Sequence, residues 1–327
     1  MKLLPVISAA LIATGTLFSL NAQSVTTDPV GYVTTTFFGD RDTTFAPGLT
    51  RPGVFRGSIS STPNLSSVTF IDQNWSADEF ADSHFVLVRS GELEGAFAKI
   101  SANTADTLTL EYISEDFLLG SAEGVNAGDS VEIIPFWTLG EVFSDDTPNG
   151  ARVLLYSRNS VGEDLAASSA YTYFDGFGWF DGPTPGNNTI IYPDESIIFR
   201  NLSGVDFINV VAGQVRMTNL RVRLEILDPS RNQDFRIPTF TVANRTISQV
   251  FDSANISQGD RLLIFNDNES GVDKSSAISA TFFDGFGWFD GPTDMNNYEL
   301  PVNAGLVLRK SKDGSLISSI LINSDIN

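Results

Sequence analysis

The stretch FDGFGWFDGPT occupies residues 174–184 and recurs letter for letter at 283–293, a spacing of 109 residues. An identity of this length at a fixed spacing marks a duplicated unit. Weaker matches extend it on both sides: WTLGEVF at 137–143 with RTISQVF at 245–251, ARVLLYS at 151–157 with DRLLIFN at 260–266, and IIFRN at 197–201 with LVLRK at 306–310. The flanks keep only apolar character, which is all a core requires. Within the quoted stretch even Asp, Gly and Thr are identical. Each copy reads as strands around one hairpin. In the first, Tyr173 and Phe174 enter, Asp175 and Gly176 turn with a positive φ at Gly176, and Trp179 and Phe180 return, one ring inward and one outward.

Upstream, VGYVTTTFFGDRDTTFAP at 30–47 has the same order of segments as AGQVRMTNLRVRLEILD at 212–228 followed by QDFRIP at 233–238. After that proline the second copy spends only Thr239 to Arg245 before its next strand, whereas the first spends Gly48 to Trp137. The extra segment holds VFRGSIS, SVTFID, HFVLVRS, GAFAKIS, TLTLEYI and SVEIIPF, short strands punctuated by Pro63-Asn64, Ser90-Gly91 and Gly128-Asp129. Strands this short and this closely spaced suit a small closed barrel or sandwich that hides its edges. Inserting it at a loop tip is entropically cheap, so it should be removable. The expected fold is all-β, with two repeated β-sandwich-like units, the first carrying an inserted small β-barrel. The boundaries are a first unit at 23–52 and 137–204, the barrel at 53–136, and a second unit at 205–327.

Residues 1–22 read as an export signal, with Lys2 before an apolar run to Leu20 and the small Ala22 ahead of the cut. Removing them leaves 19 basic against 40 acidic residues, a net charge of −21. Acids scattered among turns keep a chain soluble and argue against nucleic acid as a partner, because phosphates need a basic footprint. No later run approaches the roughly 18 to 20 apolar residues of a membrane span. With no cysteine, disulfides, thiolate metal sites, a cysteine nucleophile and a lipid-modified cysteine are excluded.

One histidine, His84, heads the apolar strand HFVLV. A histidine-based zinc site is therefore impossible, and any Ser-His-Asp triad would have to use this residue, which reads more simply as structural. Carboxylates are the abundant candidates for acid/base work, but sequence does not show which of them face each other. The repeated hairpin is either a packed element or a binding tip. As a tip it would offer Phe177 or Trp179, and Phe286 or Trp288, as platforms for a sugar ring. Asp175 and Asp181, with Asp284 and Asp290, would be weak candidates for calcium; otherwise they are turn residues.

DPVGYVTTTF at 28–37, RSGELEGAFAKISANTADTLTL at 89–110, IIPFWTLGEVF at 133–143 and the hairpin followed by IIFRN or LVLRK resemble an uncharacterised family of exported β-rich proteins. That family has many verrucomicrobial paralogues, and its mature chains open with a similar Pro-Val-Gly-Tyr-Val. The resemblance spans essentially the whole mature chain; it implies secretion and a β-rich build and no particular activity. The FGWFDG hairpin departs from the family's shorter ones. Together these observations lead to an exported, non-enzymatic structural or adhesive protein, placed outside the cell, at its surface or in the periplasm. Its partners would be extracellular polysaccharide or other surface proteins. The alternatives are a carbohydrate-binding module using the paired hairpins and a carboxylate-dependent glycan hydrolase.

Overall fold

The computed structural model describes residues 28–111, 124–157, 160–239, 242–251, 256–312 and 317–324; the expected export signal lies outside them. The chain is nearly all β. Alternation sets the local choice: in Leu220–Glu225, LRVRLE, the leucines and valine are buried while the charged residues between them are half-exposed. Among the described residues helix is limited to two four-residue turns, Leu139–Val142 and Ile247–Val250. Each follows a threonine whose backbone N–H donates to the side chain three residues on, Thr138 to Glu141 (3.2 Å) and Thr246 to Gln249 (2.9 Å). No helix among the described residues is long and apolar enough to cross a membrane.

Two six-stranded antiparallel sheets share one strand order. The first runs Thr184–Pro185, Gly178–Asp181, Ser169–Phe174, Arg152–Leu155, Ile197–Asn201, Arg41–Phe45. The second runs Thr293–Asp294, Gly287–Asp290, Ile278–Phe283, Arg261–Ile264, Gly305–Lys310, Gln233–Pro238. Their registers correspond as well: Thr172 faces Phe180 as Thr281 faces Phe289, and Arg152 faces Arg200 as Arg261 faces Arg309. Over each sheet lies a two-stranded ribbon. Val30–Phe37 pairs along its length with Phe207–Gln214, and Leu220–Glu225 with Ile317–Ile322. Phe207–Gln214, which follows the boundary drawn at Gly204, is thus laddered to the chain's first strand. In the first sandwich-like unit Phe37, Phe207 and Val211 of the ribbon pack on Phe45, Val153 and Phe199 of the sheet.

Seven strands between Phe55 and Pro135 form one sheet around a core of Val68, Val86, Ile100, Leu108 and Ile133. Its ring is completed by one bent strand. Phe55–Ser58 pairs with Ser130–Pro135, the chain turns at Ile59 and Ser60, and Ser61–Asn64 continues along Ser67–Thr69. The bend itself is bonded on both sides, Ile59 N–H to the Asp129 carbonyl and Ser60 N–H to the Thr69 carbonyl. The outward residues Phe85, Leu87, Phe97 and Ile134 belong to the same apolar cluster as Leu220 and Val222 of the second unit. The Arg221 N–H donates to the Gly95 carbonyl across this contact (2.8 Å).

The two units exchange loops reciprocally. Arg200 binds Asp42 of its own sheet in a fork (2.7 and 2.8 Å) and also Asp273, from a loop of the second unit (2.5 Å). Arg309, its counterpart, binds Asp234 in the same fork (2.7 and 2.9 Å) and Asp164, from a loop of the first unit (2.8 Å). Asp164 and Asp273 both adopt positive φ, 51° and 52°. Ser196 and Gly305 hold matching positions and touch each other: a Cβ built on Gly305 would lie 2.5 Å from that of Ser196. Matching residues that meet mark a pseudo-two-fold axis, and Gly305 provides the space there.

Candidate functional site: the hairpin tips and the cleft beside the first

Each hairpin is locked from behind. The Trp179 N–H donates to Asn187 Oδ1 (2.7 Å) and the Trp288 N–H to Asn296 Oδ1 (3.0 Å). The turn is closed by Phe177 N–H to the Phe174 carbonyl (2.9 Å) and by Phe286 N–H to the Phe283 carbonyl (3.0 Å). Gly176 has φ 73°, as expected of the turn, and Gly178 has φ 89°. A Cβ on Gly178 would also meet Asn187 Oδ1 at 2.3 Å, and one on Gly287 would meet Asn296 Oδ1 at 2.1 Å. These glycines are therefore fixed twice, by backbone sign and by the approach of the asparagine. Asn187 and Asn296 escaped the sequence reading, although Asn-Asn recurs at 187–188 and 296–297, just past the identical stretch.

The rings divide into two sets. Trp179 and Trp288 are buried in the cores; Trp179 lies 5.4 Å from Phe143 and 5.3 Å from Tyr173, ring centre to ring centre. As ligand platforms they are corrected: an indole packed on all sides has no face to offer. Phe177 and Phe286 at the turns are 76% and 75% exposed. Beside each of them the outer face carries an edge-to-face pair, Phe174 with Phe180 and Phe283 with Phe289. Each tip thus presents three phenylalanines on a rigid backbone.

The aspartates do not converge. Asp175 lies beyond the Phe174–Gly178 pair at the turn, whereas Asp181 lies beyond Thr172–Phe180 at the other end. At about 3.3 Å per residue that is roughly 13 Å of strand. Asp284 and Asp290 are arranged alike. No three His, Asp or Glu side chains among the described residues form a group able to hold a metal ion.

The surroundings of the tips differ. Between the first tip and the barrel lies a cleft of about 940 Å³ lined by Arg51, Asp82, Glu141, Asp145, Asp175, Phe177, Asn187 and Asn188. Arg51 lies in the connection between Arg41–Phe45 and the barrel, next to the Thr50–Gln214 bridge, and pairs with Glu141 (2.6 Å). His84 is half-buried, bonded through Nδ1 to Ser83 (2.8 Å) and set against the Phe80 ring. Burial, and then the charge of Arg51, hold its pKa below the ordinary histidine range. Its neighbour Ser83 lines the cleft.

No family model matches the chain, and no curated protein or solved structure matches it.

Proposed function

We propose that the protein is exported and acts without catalysis, as an adhesive module built from a duplicated unit that holds polysaccharide on its phenylalanine tips. The observation that carries this reading is the pairing of exposed Phe177 and Phe286 with buried Trp179 and Trp288 on identical hairpins. Folding alone needs the tryptophans; an exposed ring at a tight turn gains nothing from burial and is suited to stacking on the apolar face of a sugar. Beside the first tip, Asn187, Asn188 and the carboxylates supply hydrogen-bonding groups for hydroxyls. Net negative charge in the cleft and over the chain favours neutral or amine-bearing sugars over acidic ones.

The test is retention on insoluble neutral and amine-bearing polysaccharides. The Phe177→Ala/Phe286→Ala double variant should elute with the void while melting as the wild type does. Equal retention of both proteins would sink the reading. The hydrolase alternative draws on Glu141, Asp145 and Asp175 lining one cleft. Release of new reducing ends from a soluble glycan, lost in Glu141→Gln, would favour it instead.

A further inference from the structure

The two ribbons differ on their outward faces. In the second, the corresponding face carries Arg221, Arg223 and Glu225 and is largely covered: the Arg223 side chain is only 10% exposed, and at Arg221 the strand meets the barrel hairpin around Gly95. In the first, the outward residues of Val30–Phe37 and Phe207–Gln214 carry no charge, although the chain has 60 charged residues. Val30 is 75% exposed, Tyr32 74%, Ile208 63% and Val210 55%. Cross-strand pairing sets Thr34 beside Val210 and Thr36 beside Ile208, so these side chains form one continuous face. Among the described residues nothing covers it.

We propose that this face is where two copies of the chain meet, ribbon on ribbon about a two-fold axis. Two chains of net charge −20 repel each other over most of their surfaces. A self-contact is least opposed where the meeting surfaces carry no charge, and this face is of that kind. It is also self-complementary in the sense a two-fold contact needs, since apolar residues meet apolar residues whichever copy supplies them. A strongly basic partner would find nothing to pair with here. The phenylalanine tips are not part of the face, so the dimer stands or falls separately from polysaccharide binding.

The experiment is sedimentation equilibrium of the exported chain from micromolar to 100 µM. The wild type should show a dimer that tightens with added salt, as screening removes the repulsion between acidic copies. Tyr32→Glu/Val210→Glu should weaken association at least tenfold, and Tyr32→Ser/Val210→Ser should weaken it less. At dilutions where the wild type is monomeric the melting temperature should be unchanged in both, because both sites are exposed, whereas at 100 µM the wild type should melt above the glutamate variant. Leu65→Glu, on an exposed turn of the barrel, is the control for added charge and should leave the dimer intact. A wild type that stays monomeric at 100 µM overturns the proposal. So does a dimer that survives the Tyr32/Val210 glutamates, or one that Leu65→Glu disrupts equally.

Discussion

Phe177 and Phe286 stand on hairpins of identical sequence, with the same turn, the same asparagine lock and nearly the same exposure. The first tip faces a cleft whose other wall, at Asp82 and Ser83, belongs to the barrel inserted into its unit. The local sequence therefore fixes what a tip is, and the insertion changes what it can do. The barrel's influence also crosses to the other copy. It enters the chain in the first unit, where the Trp137 indole N–H reaches the Leu49 carbonyl across the join (2.8 Å), but its outer apolar face packs with the second.

The largest effect should come from deleting that asymmetry. Joining Pro52 to Phe136 through a short linker is geometrically easy, and by sequence alone the shortened chain should fold. The shared cluster with Leu220 and Val222 changes the expectation for the second unit. It should lose about 5 kcal/mol, at roughly 1.5 to 3 kcal/mol for each large apolar side chain uncovered. Hydrogen exchange should then show Leu220–Glu225 deprotected while Arg152–Leu155 stays protected. Equal protection in the two would mean that the barrel is an independent passenger.

Removing the buried indoles should affect the copies alike. Trp179→Ala and Trp288→Ala should each cost about 3 to 5 kcal/mol in denaturant melts, as fully buried rings do. A wild-type melt for either would return that tryptophan to the list of surface contacts. Gly178→Ala should cost about 2 kcal/mol for its positive φ, with more for the clash. Asn187→Ala removes the acceptor of the Trp179 N–H and carries its own cost, so the clash is read as a coupling: Gly178→Ala should cost less on the Asn187→Ala background than on the wild type, leaving the φ cost.

A further difference between the copies is titratable. Asp267 of the second unit is half-buried at the junction of the units, where it accepts the Thr44 N–H (3.0 Å), and desolvation there pushes its pKa up to about 6. Between pH 4 and 6 the folded chain therefore binds more protons here than the unfolded chain, and stability falls as pH rises through that window. The contribution is on the order of 3 kcal/mol. Asp267→Asn should flatten this part of the stability–pH curve; an unchanged slope would assign it to other groups. Smallest in stability are the tips, where Phe177→Ala and Phe286→Ala should each shift melting by less than about 0.5 kcal/mol. If polysaccharide binds, Phe177→Ala should weaken retention more than Phe286→Ala, because the cleft lies beside the first tip.

Much of this architecture was legible because it is written in local pattern. Alternation gave the strands, Asp175-Gly176 gave the turn, and the shorter Thr239–Arg245 link exposed the insertion. That one ring of each returning strand turns inward was legible; that it is the tryptophan was decided by the register, which sets Trp179 opposite Tyr173 and Trp288 opposite Phe282. What escaped depends on residues far apart in the chain. Nothing local to Phe85, Leu87 or Phe97 says that their outward face will join the apolar cluster that holds Leu220. Nothing near Asp164 or Asp273 announces that each will cross to the other unit's arginine. The cleft was invisible for the same reason: Arg51, Glu141 and Phe177 become neighbours only once the barrel is closed and docked.

The crossed arginine clasps also have a mechanical side. The tips lie toward the outer edges of the two sheets, while Arg41–Phe45 and Gln233–Pro238 lie at the inner edges. A tether pulling on both tips would load the junction between the units. Arg200 and Arg309 each hold a carboxylate from their own sheet and one from the opposite unit, on either side of the Ser196–Gly305 contact. Separating the units would strain both clasps together instead of unzipping one after the other, a geometry suited to bearing tension between two anchored ends.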